Sequence, residues 1–279
     1  MAKEILITGA SGFSGQYLLR YLFRDKRKII AHMGRTPVRK ELLGVATLYG
    51  NLASEGESSL FLTKPDTIIH LAAQSPGDGI SDTDLYQNIP ATYNIIKHAQ
   101  KTNTKKIIYF SSTSLFGDVK GGVLYNNSPR INPDFYGQTK SICEGLLKDS
   151  GIPTISIRLP GIIGKGSHRN WLSQIEAKAK RGEPITIYNS EGWFNGAIHI
   201  KNLCSIVEDY LNKDIRGFNT ILLGAGGCIT VKEVVQKVVR RRSIVDDKGD
   251  FDKESFVINS SIQTWPIQAT ITQFVKDNK

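Results

Sequence analysis

The strongest constraint on this chain lies in its first fifteen residues. Glu4-Ile-Leu-Ile-Thr8 is a short apolar run that leads straight into Gly9-Ala-Ser-Gly12-Phe-Ser-Gly15, with a glycine at every third position. Helical spacing follows, with Tyr17, Leu18, Tyr21 and Leu22 apolar between Gly15 and Arg24. In a strand–loop–helix unit, glycine permits a tight turn, close backbone approach to a pyrophosphate and close packing of helix on strand. The helix N-terminus offers unpaired N–H groups and the positive end of its dipole to phosphates. Gly9, Ser11, Gly12, Phe13, Ser14 and Gly15 are therefore expected to bind a dinucleotide. No GK[ST] follows, which excludes a P-loop.

The rest of the first half repeats that grammar. Strands are expected at 28–33, 46–49, 67–72, 106–110 and 154–158. Helices are expected at 84–101 and 135–149, with Pro90 kinking the first or marking its first turn. Short apolar strands alternating with helices imply a doubly wound, Rossmann-type parallel sheet of the α/β class. Ligands of such sheets sit beyond the strand C-termini, so the informative loops are 9–15, 34–39, 72–75, 111–117 and 160–166. After Gly164 the pattern loosens: helices are read at 171–180 and 230–242, a strand running into a helix at 198–212, and a charged loop at 246–253. The expected division is a dinucleotide-binding domain over 1–164 and a smaller substrate-binding lobe over 165–279, with 195–217 returning to the first domain.

Lys and Arg outnumber Asp and Glu by 36 to 26, which favours anionic partners. The basic residues are scattered and match no nucleic-acid motif, so a phosphorylated small molecule is preferred to nucleic acid. No apolar run approaches the ~20 residues of a membrane span. Cys143, Cys204 and Cys228 are too far apart for a CxxC pair, and no residues have metal-ligand spacing, so no metal is expected. With no secretory leader at the start, these features point to a cytoplasmic location.

Two further features suggest chemistry. Arg35, with Arg39 second, follows the second strand, where an acidic residue would grip a ribose 2′-hydroxyl and an Arg accommodates a 2′-phosphate; NADP is thus favoured over NAD. Tyr136-Gly-Gln-Thr-Lys140 sets a phenol and an ammonium four apart on one helix face. A neighbouring cation stabilises phenolate, so such a tyrosine can exchange a proton with a substrate oxygen. The pattern alone is weak, and Tyr93-Asn-Ile-Ile-Lys97 repeats it; Tyr93 is expected to pack on the sheet. The serine-rich turn from Ser111 through Ser112 and Thr113 to Ser114, after the fifth strand, distinguishes Tyr136, because one hydroxyl there can orient the reacting oxygen. His70 and His199 are read as packed, leaving His168 as the histidine open to a substrate role.

The segments TGASGFSG (8–15), HLAA (70–73), SSTSLFGD (111–118), YGQTK (136–140) and RLPGIIGKG (158–166) resemble, in order and spacing, the extended short-chain dehydrogenase/reductase family, which includes nucleotide-sugar epimerases and dehydratases. The resemblance implies hydride chemistry at a nicotinamide, with Ser112, Tyr136 and Lys140 as the catalytic set. It implies that Leu71, Ala72, Ala73, Pro160 and Ile162 line the cofactor along with Tyr136 and Lys140, and that Asn51 and Leu52 sit beside the adenine. Two departures stand out. Thr113-Ser114 replaces the acid pair of the 4,6-dehydratases, which argues against a dehydratase. Gly161 stands where many epimerases have Asn, and Asn195 where they have Arg. Substrate contacts are therefore expected from Gln74, Ser112, Thr113, Ser114, Tyr136, His168, Arg169, Asn170 and Asn195, with Lys165 nearby. The expected activity is NADP-dependent reduction of a 4-keto nucleotide sugar; a 4-epimerase using the same residues is the alternative, and a non-catalytic NADP-binding regulator the alternative of another class. The resemblance also admits a homodimer.

Overall fold

A computed structural model describes residues 4–24, 28–34, 45–54, 60, 63–119, 121–239, 244–249 and 255–279. In chain order its elements begin with β1 (Glu4–Thr8), α1 (Phe13–Phe23), β2 (Lys28–Met33), β3 (Ala46–Tyr49), β4 (Thr67–His70), α2 (Asp82–Tyr86), α3 (Asn88–Lys101) and β5 (Lys106–Ser112). After a 3-10 turn at Thr113–Phe116 come β6 (Gly122–Leu124), α4 (Phe135–Asp149), β7 (Thr154–Leu159), β8 (Gly161–Ile163), α5 (Trp171–Arg181), β9 (Ile185–Ile187) and β10 (Trp193–Phe194). The chain continues through β11 (Ala197–His199), α6 (Ile200–Asn212), β12 (Phe218–Leu222), β13 (Ile229–Thr230), α7 (Val231–Val238), β14 (Val245–Asp247), β15 (Phe256–Ile258) and α8 (Ile267–Asp277).

The chain forms two compact units. The first comprises Met1–Gly117, Pro133–Arg158 and Cys204–Thr220; the second comprises Asp118–Asn132, Leu159–Leu203 and Ile221–Lys279. Against the expected bounds of 1–164 with a return over 195–217, the first unit leaves out 118–132, ends at Arg158 and is rejoined by Cys204–Thr220. Residues 118–132 join the second unit because β6 pairs with β15, more than a hundred residues later, in the register Val123 to Val257.

The first unit is built on a seven-stranded sheet in the order β12-β7-β5-β4-β1-β2-β3, the Rossmann-like α/β architecture expected. The β1–β2, β1–β4, β2–β3 and β4–β5 pairs are parallel. Every residue of β1 and β4 is buried, as is typical of strands covered on both faces. The strand order reverses between β1 and β4, which makes their C-terminal ends the crevice where ligands of such sheets bind. The helix expected over 84–101 is two helices. Ser81 and Asp84 form a capping box on α2, and Pro90 falls in the first turn of α3, where its missing N–H costs nothing.

The second unit has its own core, in which Ile163, Leu172, Ile175 and Ala197 meet Val234, Ile267, Ile271 and Phe274. Around it lie the two-stranded pairs β8–β11, β9–β14, β10–β13 and β6–β15. The charged loop expected over 246–253 begins instead as β14, whose Val245, Asp246 and Asp247 run parallel to Ile185–Ile187; residues 250–253 lie outside the described residues. The helix expected over 230–242 runs from the Thr230 cap to Val238. Among the described residues, no helix is long and apolar enough to cross a membrane.

Candidate active site

The glycine loop closes the end of β1. Gly9 has φ +67°, and a Cβ there would lie 2.7 Å from the Ala72 nitrogen at the end of β4. A Cβ on Gly15 would lie 2.3 Å from the Gly9 carbonyl. Both glycines are therefore fixed by backbone contact, one across the strand-order reversal and one at the base of α1. The Gly12 N–H donates to the Gly9 carbonyl at 3.0 Å, and the Gly12 carbonyl, at the N-cap of α1, accepts the Gln16 N–H at 2.9 Å. No side chain caps that helix, and its first turn holds no acidic residue. The start of α1, with its N–H groups uncapped by side chains and no acidic residue in its first turn, thus suits a pyrophosphate. Arg35 and Arg39 lie outside the described residues. The Asn51 side chain accepts the Ala53 N–H at 3.1 Å in a local turn, Leu52 is buried, and Asn94 donates to the carbonyls of Leu52 and Ser54.

A buried polar chain connects this loop to α4. The Ala72 N–H donates to Thr8 Oγ1 at 3.2 Å, leaving the Thr8 hydroxyl proton for His70 Nδ1 at 2.7 Å. His70 Nε2 then carries the ring proton and donates to Thr92 Oγ1 at 3.1 Å, which donates on to the Asn88 carbonyl. The Asn88 carboxamide accepts the Gln74 N–H at 2.7 Å and donates to the Gln74 carbonyl at 3.0 Å. It also donates to Thr139 Oγ1, which donates to the Tyr136 carbonyl. Burial first, and the nearby Lys140 charge second, push His70 down to about 3, so its ring is neutral. The packed reading of His70 is thereby supported. Asn88, Thr92 and Thr139 went unread in the sequence; an Asn two residues ahead of a helical Pro was the available clue.

The catalytic candidates converge at the end of β5. Ser112 caps the 3-10 turn: its Oγ accepts the Ser114 N–H at 3.1 Å and donates to Ser114 Oγ at 3.0 Å. Helix α4 starts at Asp134, which accepts the Gly137 N–H at 2.6 Å. A Cβ on Gly137 would lie 2.2 Å from the Ser114 carbonyl, so glycine alone lets α4 seat Tyr136 beside the serine turn. A glycine inside a helix costs about 1 kcal/mol relative to Ala, and that was the overlooked signal. Tyr136, Ser112, Thr113, Ser114 and Gln74 are half-buried. Lys140 is 2% exposed and donates to the Phe110 carbonyl at 2.7 Å. One turn further on, Glu144 takes two hydrogen bonds from Arg158, at 3.0 and 2.9 Å, and one from Ser156. Burial alone would raise the Glu144 carboxyl, but Arg158 and Ser156 hold it below the ordinary carboxylate value. This pair clamps α4 to β7. The competing Tyr93 does not pack on the sheet: it is 50% exposed, with the Lys97 ammonium over its ring.

The polar residues expected from the second unit fare differently. Asn195 is 4% exposed; its amide donates to the Ala225 and Ile258 carbonyls and its oxygen accepts the Ile258 N–H at 2.7 Å. Both ends of that carboxamide are engaged in bracing the unit, so it presents no free group to a substrate. Asn170 caps α5 and donates to the Ile162 carbonyl. Lys165, His168 and Arg169 are exposed, and Pro160 and Ile162 half-buried. His199 is buried against Trp265, with Nε2 3.3 Å from Asp277, and burial brings it down to about 4. No group of residues among those described could hold a metal ion.

UDP-glucose 4-epimerase of Vibrio cholerae is 24% identical over 249 residues, covering 85% of this chain and 75% of the relative. The chain spans between 56% and 65% of the length of three further relatives. Two solved structures from Bordetella bronchiseptica share the fold with a TM-score of 0.84. WbmH in complex with NAD+ is 17% identical and covers 100% of this chain and 99% of its own. WbmG in complex with NAD and UDP is 20% identical and covers 99% and 94%. A family model, described as the NAD dependent epimerase/dehydratase family, matches residues 5–210. The chain belongs to that family and is an enzyme of it.

Proposed function

We propose that the protein is an NAD(P)-dependent oxidoreductase acting on the sugar of a nucleotide sugar, with Tyr136 as its proton-transfer residue. The observation that carries this reading is the convergence of Ser112, Tyr136 and Lys140 at the end of β5, in the unit that also holds the open glycine loop. Gly9, Ser11, Gly12, Phe13, Ser14 and Gly15 would hold the cofactor's pyrophosphate at the start of α1. Asn51, Leu52, Leu71, Ala72, Ala73, Pro160 and Ile162 would flank the rest, and Tyr136 and Lys140 would reach the ribose beside the nicotinamide. When bound, the nicotinamide supplies a hydride donor or acceptor. The protein supplies the proton: the Tyr136 hydroxyl exchanges it with the sugar oxygen, Ser112 hydrogen-bonds that oxygen, and the Lys140 ammonium favours phenolate. Gln74, Thr113, Ser114, His168 and Arg169 are the candidate substrate contacts. Asn170 and Asn195 brace the backbone of the second unit rather than contact substrate.

Net reduction of a 4-keto sugar by NADPH is the favoured direction, on the position of Arg35 in the sequence. A 4-epimerisation that retains NAD is the second reading, supported by the V. cholerae relative and by the NAD in both structural neighbours. Stoichiometric loss of NADPH absorbance on a 4-keto nucleotide sugar is the expected result; turnover without net NADPH loss selects the epimerase. Tyr136→Phe is expected to lower kcat by about 10²–10⁴-fold with the fold intact. An unchanged kcat would sink the proposed mechanism, whereas cofactor binding with no turnover by the parent protein would favour a non-catalytic regulator. Exposed Tyr86, Tyr93 and Ile142 on α2, α3 and α4 support a homodimer, which light scattering tests by mass.

A further inference from the structure

The Lys140 ammonium is almost wholly removed from water, yet its contacts among the described residues include no carboxylate. It has one carbonyl, that of Phe110, and two aromatic faces: its nitrogen lies 4.8 Å from the Tyr109 ring centre and 5.7 Å from the Tyr136 ring centre. Other charged or titratable groups packed nearby are accounted for. His70 on β4 is neutral, with both ring nitrogens hydrogen-bonded. Glu144, on the same helix, is engaged by Arg158 and Ser156. Cys143, also on α4, has its sulfur near the Asn88 carbonyl.

A buried ammonium without compensation tends to lose its proton. A carboxylate would prevent that, but it would also cancel the charge that Tyr136 needs. An aromatic face attracts the cation through its quadrupole without neutralising it. We propose that Tyr109, 1% exposed and tilted against the His70 ring, is a positioning residue whose ring face holds and aims the Lys140 ammonium beside Tyr136 without pairing with its charge. Its role in catalysis rests on the reading of Tyr136 and Lys140 given above; its hold on Lys140 does not.

The test replaces Tyr109 with phenylalanine and then with mono-, di- and trifluorophenylalanine. Size and packing stay nearly constant while the ring face becomes progressively less negative. In protein labelled with 15N-lysine, the Lys140 ammonium correlation, assigned by its absence in Lys140→Arg, is expected in the parent and in Tyr109→Phe. It should fade across the fluorinated series, with thermal midpoints staying near that of Tyr109→Phe. On a substrate that is turned over, kcat is expected to fall about tenfold across the series while cofactor affinity holds. An ammonium signal indifferent to fluorination overturns the proposal, as does a signal that fades with kcat unchanged. The signal is read without substrate, so a failure of every nucleotide sugar to turn over would count against the proposed function while the signal still decides whether the ring holds Lys140.

Discussion

The two units use the same kinds of polar residue for opposite purposes. In the first, buried side chains such as Thr8, His70, Thr92 and Asn88 satisfy one another and backbone groups, and thereby present other groups: the start of α1, the Ser112 hydroxyl and the Tyr136 ring. In the second, Asn170 and Asn195 stand at positions that the sequence marks for substrate, yet both amides are engaged in bracing their own backbone. A polar residue in a ligand loop is therefore not yet a ligand contact. What matters is whether its hydrogen-bonding capacity is already used.

The largest expected effect that sharpens this contrast is Gly137→Ala. Its methyl group would collide with the Ser114 carbonyl, so α4 must shift. We expect a loss of about 3 kcal/mol and at least a ~100-fold fall in kcat, because a displacement near 1 Å at the reacting groups costs that much. Chemical denaturation and steady-state kinetics measure both, and a variant with native kcat would break the claim that this glycine sets the site. Next comes Asn195→Ala, which leaves two carbonyls and one N–H unpaired in the core of the second unit. It should cost about 3 kcal/mol of stability and leave kcat and the substrate KM within a few-fold of the parent. A large rise in KM with stability unchanged would restore Asn195 to the substrate site.

Acid should expose the paired histidines, one in each unit. His70 sits at about 3 and His199 at about 4, against an ordinary value near 6.5. Between pH 6.5 and 4 the unfolded chain therefore binds protons that the folded chain does not, so stability falls as pH falls through that window. For His70 the loss is on the order of 2 kcal/mol by pH 5. The urea midpoint followed from pH 7 to pH 4.5 reports it, and a flat line contradicts the neutral assignment. The smallest effect on stability is expected for Arg169→Ala, an exposed loop residue. Stability should stay within about 0.5 kcal/mol, while the KM for a nucleotide sugar rises about fivefold if the charge meets a phosphate. An unchanged KM removes Arg169 from the substrate surface.

Much of the first unit was legible because its signals are local. The bounds of β1, β2, β3 and α4 follow from apolar runs, glycine loops and the Asp134 and Ser150 ends of the helix. The second unit was less legible because its short strands carry no periodicity of their own. Val123 finds its partner at Val257 and Val245 at Ile185, and only folding brings those segments together.

The sequence by itself determined the alternation of strand and helix, the glycine loop and the placing of Tyr136 and Lys140 on one face of α4, because spacing along one element fixes which side chains share a face. Only the tertiary structure decided which polar groups remain available. That depends on partners distant in the chain: Ala225 and Ile258 for Asn195, Arg158 for Glu144, and the Tyr109 ring for Lys140. Hydrogen-bonding capacity and buried charge are balanced in space, across segments whose meeting no local pattern records.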